Sequence, residues 1–253
     1  MTPKFSVSTE RLHLCLMLTL TFSTGVVDAV GYLGLDRVFT GNMTGNVVLL
    51  GMAFAGGANL PILRPALALL FFMLGAALAG RALRKAPEGW SHRTSVALLM
   101  TAAGITALAF FVGFAPVQGN EILGSITTSV LALTMGIQAA TAKRLKVAEI
   151  TTVVVTSTIT GLASESRLAG GKSPHWVRRA LAIGLIMLGA VAGAAALHLH
   201  LWMGLAISAV LASAVTLIGH RRWLQENATS GAGDGGSGKS AGAGPSNAAS
   251  VSA

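Results

Sequence analysis

Apolar residues gather in runs of about twenty, separated by short stretches rich in Arg, Lys, Gly and Pro. The runs fall at Leu12–Leu35, Pro65–Leu83, Thr94–Pro116, Ile122–Ala142, Ala180–Leu197 and Leu201–Gly219. Each is near the roughly 20 residues that an α-helix needs to cross a bilayer. Two further stretches, Thr40–Ala55 and Thr151–Ala163, are apolar but short, and polar residues interrupt them.

The pattern repeats. Arg64–Ala77 (RPALALLFFMLGAA) aligns without a gap on Arg178–Val191 (RRALAIGLIMLGAV), about 114 residues further on. Upstream of each copy lies one of the interrupted stretches. Both contain T-x-x-x-T-G, as Thr40 to Gly45 in the first half and Thr156 to Gly161 in the second. Two copies of one unit, each with a broken segment at the corresponding place, are the pattern of transporter folds that hold their site at the repeat interface. The expected fold is therefore an all-α integral membrane protein of about six transmembrane helices, arranged as two inverted three-helix repeats, each with a re-entrant or broken helix. The expected divisions are a cytoplasmic segment 1–11, repeat 1 over 12–116, repeat 2 over 117–222, and a Gly/Ser/Ala-rich tail over 223–253 with too few large apolar residues to order itself.

Charge decides between six spans and eight. The 253 residues are 53% hydrophobic and 11% charged, with 18 Lys+Arg against 9 Asp+Glu. If both broken segments are re-entrant and the N-terminus is inside, Lys4, Arg11, Arg81, Arg84, Lys85, Arg93, Lys143, Arg144, Lys146, Arg167, Lys172, Arg178, Arg179, Arg221 and Arg222 all lie on the cytoplasmic side. Only Arg37 and Arg64 lie outside. With eight spans the asymmetry vanishes, so the positive-inside rule favours six, with both termini cytoplasmic. An odd number of spans per repeat turns the second copy upside down relative to the first. The basic excess then belongs to short loops, and no nucleic-acid partner is expected. The run Leu12–Leu35 is too long for a signal-peptide core and is read as a retained first helix.

Few residues could carry chemistry. Asp28 is the one ionisable group well inside a span. A carboxylate in hydrocarbon must face the bundle interior, so Asp28 is expected either to couple to an ion or proton or to hold a structural hydrogen bond. Gln138 stands near the matching place of the second half, allowing one residue of slip, and is its neutral counterpart. Thr40, Asn42, Thr44 and Asn46, with Gly41 and Gly45, point to irregular backbone lining a cavity, because packing explains the glycines but not both asparagines. A half-helix opening near Thr44 would present its N-terminal amides to an anionic group. In the second half Thr152, Thr156 and Thr160 recur every four residues and share one helix face. Thr40, Asn42, Thr44, Asn46, Thr156 and Thr160 are thus the expected solute ligands.

Cys15 is alone and reads as a small apolar residue. The histidines sit near span ends in no ligand spacing. No metal or other cofactor is expected, and no nucleophile with a positioned base argues for an enzyme.

Four motifs also carry a resemblance: GVVDA at 25–29, FTGNMTGN at 39–46, GIQA at 136–139 and TSTITG at 156–161. Together they look like the YoaK-type family of small bacterial inner-membrane proteins, over about residues 12–220. The resemblance implies a bacterial inner-membrane protein of about six helices, and it supplies neither a substrate nor catalytic residues. The function expected from the repeats is transport of a small, anionic solute through a midplane site. The rivals are a passive channel with the same lining and a non-transporting membrane factor that assembles or regulates another complex. The partners expected are the solute, the lipid bilayer and, with the interface unspecified, further copies of the chain.

Overall fold

A computed structural model describes residues 8–57, 59–145, 155–166, 169–171 and 175–234. Among the described residues there are eight helices and no strand. They are α1 (Thr9–Gly34), α2 (Met43–Phe54), α3 (Leu63–Leu83), α4 (His92–Phe114), α5 (Glu121–Leu145), α6 (Val155–Ser164), α7 (Trp176–Leu197) and α8 (Leu201–Asp234). Six of these, α1, α3, α4, α5, α7 and α8, are long and apolar enough to cross a membrane. The helices α2 and α6 have 12 and 10 residues. At 1.5 Å per residue they reach about 15–18 Å, roughly half the hydrocarbon thickness.

Helix directions give the crossings independently of charge. The helices α1 and α8 run antiparallel, since Gly34 lies against Leu201 at one end and the Thr9 hydroxyl donates to Glu226 at the other. The helices α8 and α4 are also antiparallel, with Trp202 against Gly113 and Gly219 against Trp90, just before α4. Hence α1 and α4 point the same way, and α3 is the one full crossing between them. A complete crossing by α2 would have reversed α4.

The same argument holds in the second half. Arg144, in the last turn of α5, donates to the carbonyl of Ala86, which precedes α4, so α4 and α5 are antiparallel. Therefore α5 and α8 share a direction, and α7 is the single crossing between them. Eight full spans do not fit this packing.

Backbone rather than side chains meets where the long helices cross. A Cβ built on Gly25 of α1 would lie 2.1 Å from the carbonyl oxygen of Ile186 on α7, and one on Gly189 of α7 would lie 2.1 Å from that of Phe22. On the other side of the molecule, a Cβ on Gly136 of α5 would come 2.2 Å from the Phe72 oxygen of α3, and one on Gly75 of α3 would come 2.1 Å from that of Leu133. Close approach of this kind is how helices associate in lipid, where no hydrophobic force separates protein from solvent. The helix α1 also packs on α8, and α5 on α4. Val26, Val27, Val30, Ile105, Leu131 and Leu205, all fully buried, fill the centre.

The order expected to end at 222 continues, since α8 runs on to Asp234. Side chains just past the boundary explain this. Trp223 stacks on His220 with ring centroids 5.7 Å apart, and Arg222 pairs with Glu226 at 3.1 Å along one helix face. Glu226 also accepts the Thr9 hydroxyl of α1. The rest of the expected tail, from 235, lies outside the described residues.

Candidate functional site

The chain reverses immediately after α1. Asp36 and Arg37 take left-handed backbone angles, with φ of 63° and 55°. This turns the following residues back along the helix they have just left. Val38 returns beside Gly31, where a Cβ would meet the Val38 oxygen at 2.5 Å. Two residues on, the chain reaches Asp28. Its Oδ1 accepts the backbone N–H groups of Thr40, Gly41 and Asn42 at 3.0, 2.6 and 3.3 Å. A carboxylate collecting three successive amides satisfies them far from water, where each unpaired group costs several kcal/mol.

From that point α2 climbs back. Asn42 caps it, accepting the Gly45 N–H at 3.2 Å, as Asn does at helix starts. Asn46 closes the loop: Oδ1 accepts the Phe39 N–H at 2.9 Å, and Nδ2 donates to the Phe39 carbonyl at 2.6 Å. Asp28 is six residues before the end of α1, about 9 Å in depth. Thus α2 starts inside the bundle and returns towards the face from which the loop entered. Asn46→Ala would leave both Phe39 backbone groups without partners. We expect a loss of about 1–3 kcal/mol, read from thermal unfolding of the purified protein, with Asn46→Asp recovering only the N–H bond.

A cavity of about 790 Å³ opens beside this loop. Asp28, Thr24 and Tyr32 of α1 line it, with Phe39, Gly41, Asn42, Thr44, Val48 and Met52 from the loop and α2, Val155 and Thr156 from α6, and Ile186 from α7. Ile186 is at the middle of α7, so the cavity lies near mid-depth in a spanning helix. Gly41 sits closely against α1, where a Cβ would be 3.0 Å from the Thr24 methyl and 3.3 Å from Asp28 Oδ1.

The expected ligands divide. Asn42, Thr44 and Thr156 line the cavity together with Asp28. Thr40 and Asn46 are fully buried and do not line it; their segment forms the wall behind. Thr160 donates to the Thr156 carbonyl at 2.9 Å, the ordinary back-bond of a helical Thr. Thr152 lies outside the described residues. Both asparagines thus hold backbone of the loop, and Asn42 lines the cavity as well.

Gln138 is buried and donates to the Thr24 hydroxyl at 3.2 Å, bracing the helix that carries Asp28. The α2 and α6 segments do not pack on each other among the described residues; they stand across the cavity. The far end of α6 is tied to α7, where Arg179 holds both carboxylate oxygens of Glu165 at 2.9 and 3.2 Å, and Gly161 rests on the same guanidinium.

Sequence reasoning did not pick out Thr24, Tyr32 or Ile186. Thr24 and Tyr32 were within reach, being four residues before and after Asp28 and so on its helix face.

Six long apolar helices, with a half-length helix whose entry loop is held by an aspartate of the first, define a multi-pass helical membrane protein with a partly polar cavity. Residues 16–218 match the family described as "Protein of unknown function (DUF1275)", and the chain belongs to it. It is also 35% identical over 203 residues to the "UPF0700 transmembrane protein YoaK" of Bacillus subtilis (strain 168), covering 74% of this chain and 87% of that protein. No solved structure matches.

Proposed function

We propose that the protein is an inner-membrane transporter of a small solute, bound near the membrane midplane between two inverted repeats, α1–α4 and α5–α8. The observation that carries the reading is the cavity, which is lined by the start of α2, by the first described residues of α6 and by the Asp28 carboxylate. Polar, irregular backbone at this depth is tolerated where it lines such a space. The opposed directions of α1 and α5, and the equivalent contacts of Gly25 with Ile186 and Gly136 with Phe72, support the inverted pairing. Asp28 is the group through which an ion, a proton or a charged solute would act, and Thr44, Asn42 and Thr156 supply neutral hydrogen bonds. The anionic solute expected from the helix N-terminus is not retained, because Asp28 itself occupies the loop amides that would receive it.

Basic-residue placement supports a cytoplasmic N-terminus and C-terminus. Reporter fusions after Arg93, Lys146 and Arg222 should all give cytoplasmic signals; a periplasmic signal at Arg93 would reverse the proposed orientation of the first repeat.

Transport is tested in proteoliposomes with radiolabelled amino acids, organic acids and amines under imposed proton and sodium gradients. We expect saturable, gradient-dependent uptake of one class, lost in Thr156→Trp, which fills the cavity from α6. Flux that never saturates and ignores gradients would point to the channel. Absence of flux for every class would favour the non-transporting factor.

A further inference from the structure

We infer that the solute of this cavity is a small organic cation, with its ammonium group against Asp28 and its alkyl part on the apolar wall. This rests on the proposed reading of the cavity as the solute site, and adds the charge and chemistry of what enters it.

Charge is the first argument. Among the described residues, Asp28 lines the cavity and no Lys, Arg or His does. Nor does any ion pair to Asp28 occur among the described residues. All three amide bonds fall on Oδ1, leaving Oδ2 without a hydrogen-bond donor among the described residues. A carboxylate at membrane depth calls for a positive partner, and the described residues around it provide dipoles but no cation. An anion entering here would meet that carboxylate.

The walls are the second. Tyr32 and Phe39 stack with centroids 4.8 Å apart and both line the cavity beside Asp28. Aromatic surface next to a carboxylate is the environment that favours alkylammonium groups, through attraction to the ring quadrupole. Val48, Leu49, Met52 and Ile186 complete an apolar surface suited to methylene or methyl groups. Size is the third. The volume of about 790 Å³ is that of a small-molecule site. A bare metal cation would leave most of it unfilled, and among the described residues the wall carries one carboxylate.

The test is equilibrium binding to the full chain in nanodiscs, by calorimetry and ligand-dependent thermal shift, with tetramethylammonium, ethylammonium and butylammonium chloride. Sodium chloride and sodium acetate are the comparison salts. We expect saturable binding of at least one ammonium probe, weakened at least tenfold by Asp28→Asn and several-fold by Phe39→Leu. Thr44→Lys, which places a resident ammonium in the cavity without touching the Asp28 amides, should abolish binding and carries the test if Asp28→Asn does not fold.

Acetate binding that strengthens in Asp28→Asn would overturn the inference, as would a shift given equally by sodium chloride. Failure of every ammonium probe to bind would overturn it too. The two readings separate cleanly. Ammonium binding without flux removes the transporter and leaves the cation site, whereas saturable flux of a neutral or anionic solute removes the cation site and leaves the transporter.

Discussion

Gly189→Leu is expected to leave no folded protein, while Gly184→Ala, five residues earlier on the same helix, is expected to be neutral or mildly stabilising. The Gly189 position has no space at all, since even a Cβ would lie 2.1 Å from the Phe22 carbonyl oxygen. That neighbour is helical backbone, so α1 and α7 would have to separate along the crossing. Even Gly189→Ala should cost about 3 kcal/mol, at the upper end for overpacking, because no side chain can move aside. At Gly184 nothing lies within 4 Å, and replacing a mid-helix glycine with alanine gains roughly 1 kcal/mol of helix propensity. Thermal unfolding and monodisperse yield in detergent measure both. Equal tolerance at the two sites would show that the α1–α7 contact is looser than described here.

Asp28→Ala should be the most damaging substitution at the site, and far worse than Asp28→Asn. Alanine strips the acceptor from three amides at once. At about 1–3 kcal/mol for each donor left buried and unpaired, the sum exceeds what the short loop can recover elsewhere. Asparagine keeps an oxygen where Oδ1 stands and loses the charge. We therefore expect Asp28→Ala to release the 38–46 loop, read as rapid labelling of a cysteine at position 40, which is fully buried in the folded protein, in a Cys15-free background. Asp28→Asn should keep that cysteine slow to react while losing ligand binding. Slow labelling in both variants would mean that the loop is held without the aspartate.

The spans were legible because their length is set by the bilayer, and the two broken stretches were legible because polar residues stood out against it. Asp28 was placed inside the bundle by the cost of the alternative. What it bonds to was not legible. That depends on the chain reversing through Asp36 and Arg37, two non-glycine residues at positive φ, for which a sequence gives little sign. The asparagines looked like ligands because their partners, the backbone of Phe39 and Gly45, cannot be named until the loop is folded. Gln138 was set near the counterpart of Asp28 by allowing a slip of one residue; its bond to the Thr24 hydroxyl depends on how α5 packs on α1 and was not legible.

The burial of α1 by α7 and α8 has a consequence for how the protein is made. The helix carrying Asp28 leaves the ribosome well before α7 and α8, the helices that cover it. At about 5–20 residues per second, α1 waits on the order of 10–30 s in the membrane before α7 has been synthesised. Throughout that interval its polar stripe of Thr21, Thr24 and Asp28 has the 38–46 loop and, once α5 is made, Gln138 for cover, but not the face of α7. A nascent chain halted before α7 would therefore leave the α7-facing side of this stripe open to lipid, and insertion factors or membrane proteases that recognise exposed polar helices would meet this protein at that stage of its synthesis.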